Sequence, residues 1–70
     1  MGTQQLSITL NGEPRAITAS TVADLVQELG VDIRQIAVEH NRTILARPNY
    51  VNTAIQHGDT IEIVSFIGGG

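Results

Sequence analysis

The chain has 70 residues, enough for one small domain, with seven acidic side chains against four basic ones and two histidines, a formal net charge of −3. That balance argues against nucleic acid as a main partner, because phosphate binding needs a dense basic stripe, and against docking on an anionic membrane surface. Cysteine is absent, which excludes a disulfide framework, a thiolate zinc site, an iron–sulfur cluster and a cysteine nucleophile.

Leu6, Ile8 and Leu10 alternate with Gln5, Ser7 and Thr9, the period-two pattern of a half-buried strand. Asn11-Gly12 follows, a hairpin signal because both residues tolerate positive φ. A short return strand is predicted over 14–18, with Pro14 at its start, where a missing N–H does least harm. Ser20 or Thr21 caps the next element, and Asp24 lies three residues after Thr21 as in a capping box. Val22, Leu25, Val26 and Leu29 form one apolar stripe at helical spacing, and Gly30 ends the helix. A linker containing Ile33 leads to strands expected over 36–39 and 44–46, separated by a turn at Asn41-Arg42-Thr43. Pro48-Asn49 breaks the pattern, and His57-Gly58-Asp59 reads as a turn. The last strand is predicted over 60–66, with Ile61 and Ile63 on one face and Glu62, Val64 and Phe66 on the other.

A hairpin cannot bury its own apolar face, so the helix must cover one side of the sheet. The expected class is α+β: a mixed sheet of four to five strands with one main helix on one face. The economical arrangement pairs the first and last strands in parallel at the centre, with the intervening segment as the crossover. That is a β-grasp, as in ubiquitin. A single domain is expected over 1–67, with 68–70 as a flexible glycine tail. No apolar run approaches the ~20 residues of a spanning helix, and no signal peptide is recognised, so a cytoplasmic location is expected.

Gly68-Gly69-Gly70 is the most informative motif. Glycine loses more conformational entropy on ordering than any other residue, so three in succession predict an arm rather than a packed element. Four residues from Ile67 reach about 13 Å when extended, enough to thread a narrow channel in a partner. The arm presents one functional group, the α-carboxylate of Gly70, with no β-carbon to hinder attack. A carboxylate is a poor electrophile, but adenylation gives it a leaving group, and a sulfur donor can then displace AMP and leave a thiocarboxylate. Stabilisation of that transfer would come from the partner, so the chain is expected to be a substrate of enzymes and not an enzyme. The alternative for the same glycines is an inert, frayed chain end on a plain interaction module.

With these elements in place the sequence resembles the ubiquitin-like sulfur-carrier family, and within it the thiamine-pathway branch, ThiS. The resemblance rests on Asn11-Gly12, Thr21-Val22-Ala23-Asp24-Leu25-Val26, Ile36-Ala37-Val38-Glu39-His40-Asn41, Arg47 with Tyr50 three later, Gly58-Asp59, and the run from Ile61 to Gly70. Molybdopterin-type carriers usually have prolines before Gly-Gly, where this chain has Phe66-Ile67-Gly68. The resemblance implies that a ThiF-type adenylyltransferase, holding ATP and magnesium itself, activates Gly70. It implies further that a cysteine desulfurase or rhodanese-type donor supplies sulfur, and that thiazole synthase takes it from the thiocarboxylate. No cofactor is expected on this chain. Gly68 and Gly69 would thread the partner's active site. A molybdopterin-type carrier, or a ubiquitin-like modifier joined to lysines of targets, is the alternative.

Val64 and Phe66 are expected to lie toward solvent beside the tail and to form a partner interface, with Ile67 either joining them or packing inward. The opposing expectation is half-burial under the loop around Tyr50. His40 and His57 lack the spacing of a metal pair; His40 is expected to face solvent at a strand end and His57 to be a solvated turn residue. A triad drawn from Ser65, His57 and Asp59 has no nucleophile elbow to support it. Arg42, Arg47, Glu39, Glu62, Asp24 and Glu28 are expected on a solvated surface. Lysine is absent, so the side chains carry no ε-amine for an activated terminus to acylate.

Overall fold

The computed structural model describes residues 5–66. Strand β1 (Leu6–Leu10) turns through Asn11 and Gly12 into β2 (Glu13–Ile17). The turn residues have φ of 52° and 84°, the left-handed pair that matches the twist of a tight hairpin. The return strand starts at Glu13 rather than at Pro14, because Glu13 already pairs with Leu10.

Helix α1 (Val22–Leu29) follows. Of the two candidate caps, Thr21 holds the position: its hydroxyl accepts the Asp24 N–H at 3.1 Å. Ser20 instead donates its hydroxyl to the Asp24 carboxylate at 3.1 Å. Gly30 ends the helix in the left-handed conformation, φ 73°, as a C-terminal glycine should. Val22, Leu25 and Val26 are buried, so one stripe of the helix faces the sheet.

Strand β3 (Ile36–His40) turns through Asn41 and Arg42 into β4 (Thr43–Leu45), and β5 (Thr60–Ser65) closes the described fold. Two 3-10 turns, Ile33–Gln35 and Arg47–Asn52, stand where only a linker and a break were expected. Such turns are too short to leave a hydrophobic period. Pro48 suits the second, where an N-terminal N–H has no helical partner, and that turn delivers Tyr50 into the core at 2 % exposure.

The sheet order is β2-β1-β5-β3-β4. β1 and β5 pair in parallel at its centre, and every other pairing is antiparallel. The fold class read from the sequence is therefore the one observed. The core sits between α1 and the inner sheet face: Ile8, Ile17, Val22, Leu25, Val26, Ile36, Val38, Ile61, Tyr50 and Ile55 are buried there. Among the described residues no helix is long and apolar enough to cross a membrane.

Leu25 is fully buried. Its truncation to alanine should cost about 2–5 kcal/mol, as much as the ~3–5 kcal/mol that a core of this size supplies. Leu25→Ala is therefore expected to be largely unfolded at 25 °C by circular dichroism. Ile61→Val, losing only about 1 kcal/mol, should stay folded with a lower denaturation midpoint.

Candidate functional site

The candidate site is the outer face of the sheet where β5 leads toward the glycine end. Residues directly opposite on paired strands share a face. Val64 pairs with Ala37, Glu62 with Glu39, and Glu39 with Ile44. Their alternation with the buried Ile61 and Val38 puts these five residues on the face away from α1. Val64 and Phe66 are each 59 % exposed and Ile44 is 73 % exposed. These apolar side chains are left in water on one sheet face, which makes that face a candidate interaction surface. Glu39 and Glu62 stand directly opposite within it, an arrangement that opposes folding.

The backbone of β5 is fixed at both ends. At its start, Asn41, also left-handed at φ 52°, donates its N–H to Thr60 O at 2.7 Å and accepts the Thr60 N–H at its Oδ1 at 2.8 Å. Asp59 accepts from Asn41 Nδ2 at 3.1 Å and from the Gln56 N–H at 2.9 Å, and its Oδ2 lies 2.7 Å from His40 Nε2. A carboxylate only accepts, so the His40 ring donates there. Burial alone would raise the Asp59 carboxyl, but the Gln56 N–H, His40 and Asn41 outweigh it and hold the group below its ordinary value.

Toward the other end of β5, Ile63 meets the carboxamide of Asn11: the Ile63 N–H donates to Oδ1 at 2.8 Å and Nδ2 donates to Ile63 O at 3.2 Å. Phe66 donates its N–H to Gln35 O at 3.1 Å. Gln35 belongs to the turn capped by Asp32, whose carboxylate takes the Arg34 N–H at 3.0 Å and the Arg34 guanidinium in bidentate fashion. The side-chain bonds from Arg34, with its backbone N–H, hold the Asp32 carboxyl below its usual range.

Val64 and Phe66 thus stand together and exposed, as expected from alternation. The loop around Tyr50 does not half-bury them, because the Tyr50 side chain enters the core instead. Ile67, Gly68, Gly69 and Gly70 lie outside the described residues. His40 corrects the expectation of a solvent-facing ring: it shares the inner face with its partner Ile61, is 20 % exposed and is paired with Asp59. His57 is exposed in its turn, and its Nδ1 accepts the Ser7 N–H at 3.2 Å. The Asp59 carboxylate is engaged by His40 rather than His57, so the triad of Ser65, His57 and Asp59 is not assembled. Arg42, Arg47, Asp24, Glu28 and Glu62 are exposed, whereas Glu39 is partly covered. Among the described residues no group of three or more His, Asp or Glu side chains is placed to hold a metal ion. Ala37 and Ile44 were missed as members of the patch, since only strand register brings them beside Val64 and Glu39.

Two outcomes follow from this geometry. Asp59 titrates lower in the folded chain than in the unfolded one, so its contribution is complete above the unfolded value of 3.8 and disappears as pH falls through the folded value. Asp59→Asn should cost about 1–3 kcal/mol at neutral pH and flatten the loss of stability below pH 3.8, read by urea unfolding across an acid series. Glu62→Gln should do the reverse near neutrality, raising stability by up to about 1 kcal/mol at low salt by removing the repulsion from Glu39, with the gain shrinking in 1 M salt.

The family model described as "ThiS family" matches residues 8–70. A protein named sulfur carrier protein ThiS from Thermus thermophilus is 31% identical over 61 residues, covering 87% of this chain and 95% of that protein. A protein named thiazole synthase from Paramagnetospirillum magneticum is 48% identical over 66 residues, covering 93% of this chain and 20% of that protein. The chain spans about a fifth of the length of the first two curated relatives it matches. The crystal structure of thiamine biosynthesis protein ThiS from Geobacter metallireducens superposes with a TM-score of 0.80 at 30% identity, covering 93% of this chain and all of that one. The chain belongs to the ThiS family.

Proposed function

We propose that the chain is a sulfur carrier of thiamine biosynthesis whose reactive group is the carboxylate of Gly70. The observation that carries this proposal is the family match running through the glycine end, residues 8–70, on a fold whose last strand leads toward that end past an exposed apolar patch. A relative named sulfur carrier protein ThiS matches over nearly its whole length. A second, from Bacillus subtilis, matches over 76% of its length.

The chemistry has two steps. An oxygen of the Gly70 carboxylate attacks the α-phosphorus of ATP, and pyrophosphate leaves. Hydrosulfide then attacks the acyl carbon, and AMP leaves, giving the thiocarboxylate; where a donor protein's persulfide attacks instead, AMP leaves from an acyl disulfide, and a thiol cleaves its S–S bond, releasing the thiocarboxylate and forming a disulfide with the donor's cysteine. Nothing in this sequence is a thiol or a lysine amine, so catalysis is assigned to partners: a ThiF-type adenylyltransferase holding ATP and magnesium, and a cysteine desulfurase or rhodanese-type protein as sulfur donor. Thiazole synthase is the acceptor; the name of the P. magneticum relative, in which a segment like this chain is one-fifth of the length, supports that choice. The chain is a carrier and not an enzyme in this scheme, and its need for ATP makes the cytoplasm the expected compartment.

Val64, Phe66 and Ile67 are assigned to the partner interface, and Gly68 and Gly69 to the channel that leads to the partner's active site. The acidic pair Glu39 and Glu62 inside the apolar patch suits a partner surface with a basic side chain at its centre. Two measurements test the assignment. Intact mass after incubation with ATP, a ThiF-type activator and sulfide should show one sulfur-for-oxygen exchange in the wild type and none in a Gly70 deletion; an unshifted wild-type mass sinks the proposal. Val64→Asp and Phe66→Asp should keep the fold yet raise the KM for the activator by about tenfold or more, in line with loss of an apolar anchor. Unchanged KM in both would remove the interface.

A further inference from the structure

We propose that Asn11 is a positioning residue for the Gly70 terminus, a step that rests on the function proposed above. Its carboxamide stands in for a strand peptide and sets the direction in which β5 leaves the sheet.

The sheet needs such a device at this point. β1 pairs with β5 only at Thr9↔Thr60 and Leu10↔Ile61, and then turns away into the hairpin. β5 runs on to Ser65 with β3 along its other edge, as far as Ile36↔Ser65. On the β1 side the next backbone groups due for pairing belong to Ile63. Asn11 meets both: Oδ1 takes the Ile63 N–H at 2.8 Å and Nδ2 gives to Ile63 O at 3.2 Å. The Asn11 backbone N–H simultaneously donates to Ile61 O at 2.9 Å. One residue therefore bonds two successive inward-facing positions of β5 with its main chain and its side chain. Because the amide oxygen and nitrogen lie in one plane, the double bond fixes the rotation of the strand as well as its distance.

The turn alone does not demand asparagine. Glycine and aspartate also suit the positive φ of a type I′ hairpin. Glycine, however, offers Ile63 nothing, and an aspartate carboxylate accepts from its N–H while repelling its carbonyl. Only asparagine satisfies the turn and both Ile63 groups. Gly70 lies seven residues beyond Ile63, so a change of strand direction there moves Phe66 and the point from which 67–70 depart. A small misplacement of a reacting group is enough to slow chemistry that depends on alignment. Asn41 supplies a matched control. It has the same φ of 52° and also bonds β5, but at Thr60, the end away from Gly70.

The test uses the full chain with a ThiF-type adenylyltransferase and ATP, following pyrophosphate release. Asn11→Asp and Asn11→Gly are compared with Asn41→Gly and wild type, each checked for folding by circular dichroism. Both Asn11 variants should lose turnover by about three- to tenfold with KM changed by less than turnover, because Val64 and Phe66 keep their side chains and Phe66 is shifted rather than removed. Amide exchange at Ile63 through Phe66 should quicken in these variants alone. Asn41→Gly should melt at a lower temperature and keep wild-type turnover. Wild-type turnover in the Asn11 variants, or an equal loss in Asn41→Gly, overturns the assignment and leaves a purely structural role. A wild-type chain that releases no pyrophosphate overturns the function of Gly70 and this inference together, and so is distinguished from failure of the inference alone.

Discussion

The parallel pairing of β1 with β5 is the constraint on which the rest of the structure depends. It places the last strand at the centre of the sheet, with Ile61 fully buried beneath α1. A parallel pair cannot be closed by a tight turn, so everything from β2 to the turn at His57 and Gly58 is the crossover that makes the pairing possible. Once β5 is central, its side chains are divided by alternation: Ile61 into the core, Glu62 and Val64 outward. The strand is thus anchored by the core through Ile61 while Glu62 and Val64 stay accessible on the outer face.

The grip on β5 is polar and local where the ladder runs out. Asn41 with Asp59 and His40 fixes the start, and Asn11 fixes Ile63. These groups offset backbone donors and acceptors that would otherwise lack strand partners. The same asparagines make the two hairpin turns by accepting left-handed φ. Each thus couples a local turn to a strand roughly twenty or fifty positions away, and that coupling ties the shape of the hairpins to the course of the final strand.

Much of this was legible in the sequence because its causes are local. The stripe of Val22, Leu25, Val26 and Leu29, with Thr21 before it and Gly30 after it, specifies a helix and its ends. Period-two alternation from Thr60 onward separates Ile61 from Val64 and so foretells the exposed patch. The strand order followed from the need to cover one sheet face and close a parallel pair. What was not legible depends on register or on contacts between distant residues. His40 stands at a strand end as expected, but its turn from solvent toward Asp59 could not be read from the sequence. Ala37 and Ile44 joined the patch, and Glu39 met Glu62, only through β3 register. The turns Ile33–Gln35 and Arg47–Asn52 carry no period to read, and the Asn11 carboxamide reaches a strand 52 positions away.

In the proposed chemistry the folded body contributes recognition and direction, while bond making takes place at a backbone carboxylate on the partner's catalytic groups. The most direct measurement is made with the chain carrying a carboxamide in place of the Gly70 carboxylate, given to a reconstituted thiazole-forming system alongside the unblocked chain. The unblocked chain is predicted to support thiazole formation and the amide to support none, while both show the same circular dichroism spectrum. Thiazole formation at an undiminished rate with the amide would contradict the assignment of Gly70 as the sulfur-bearing group.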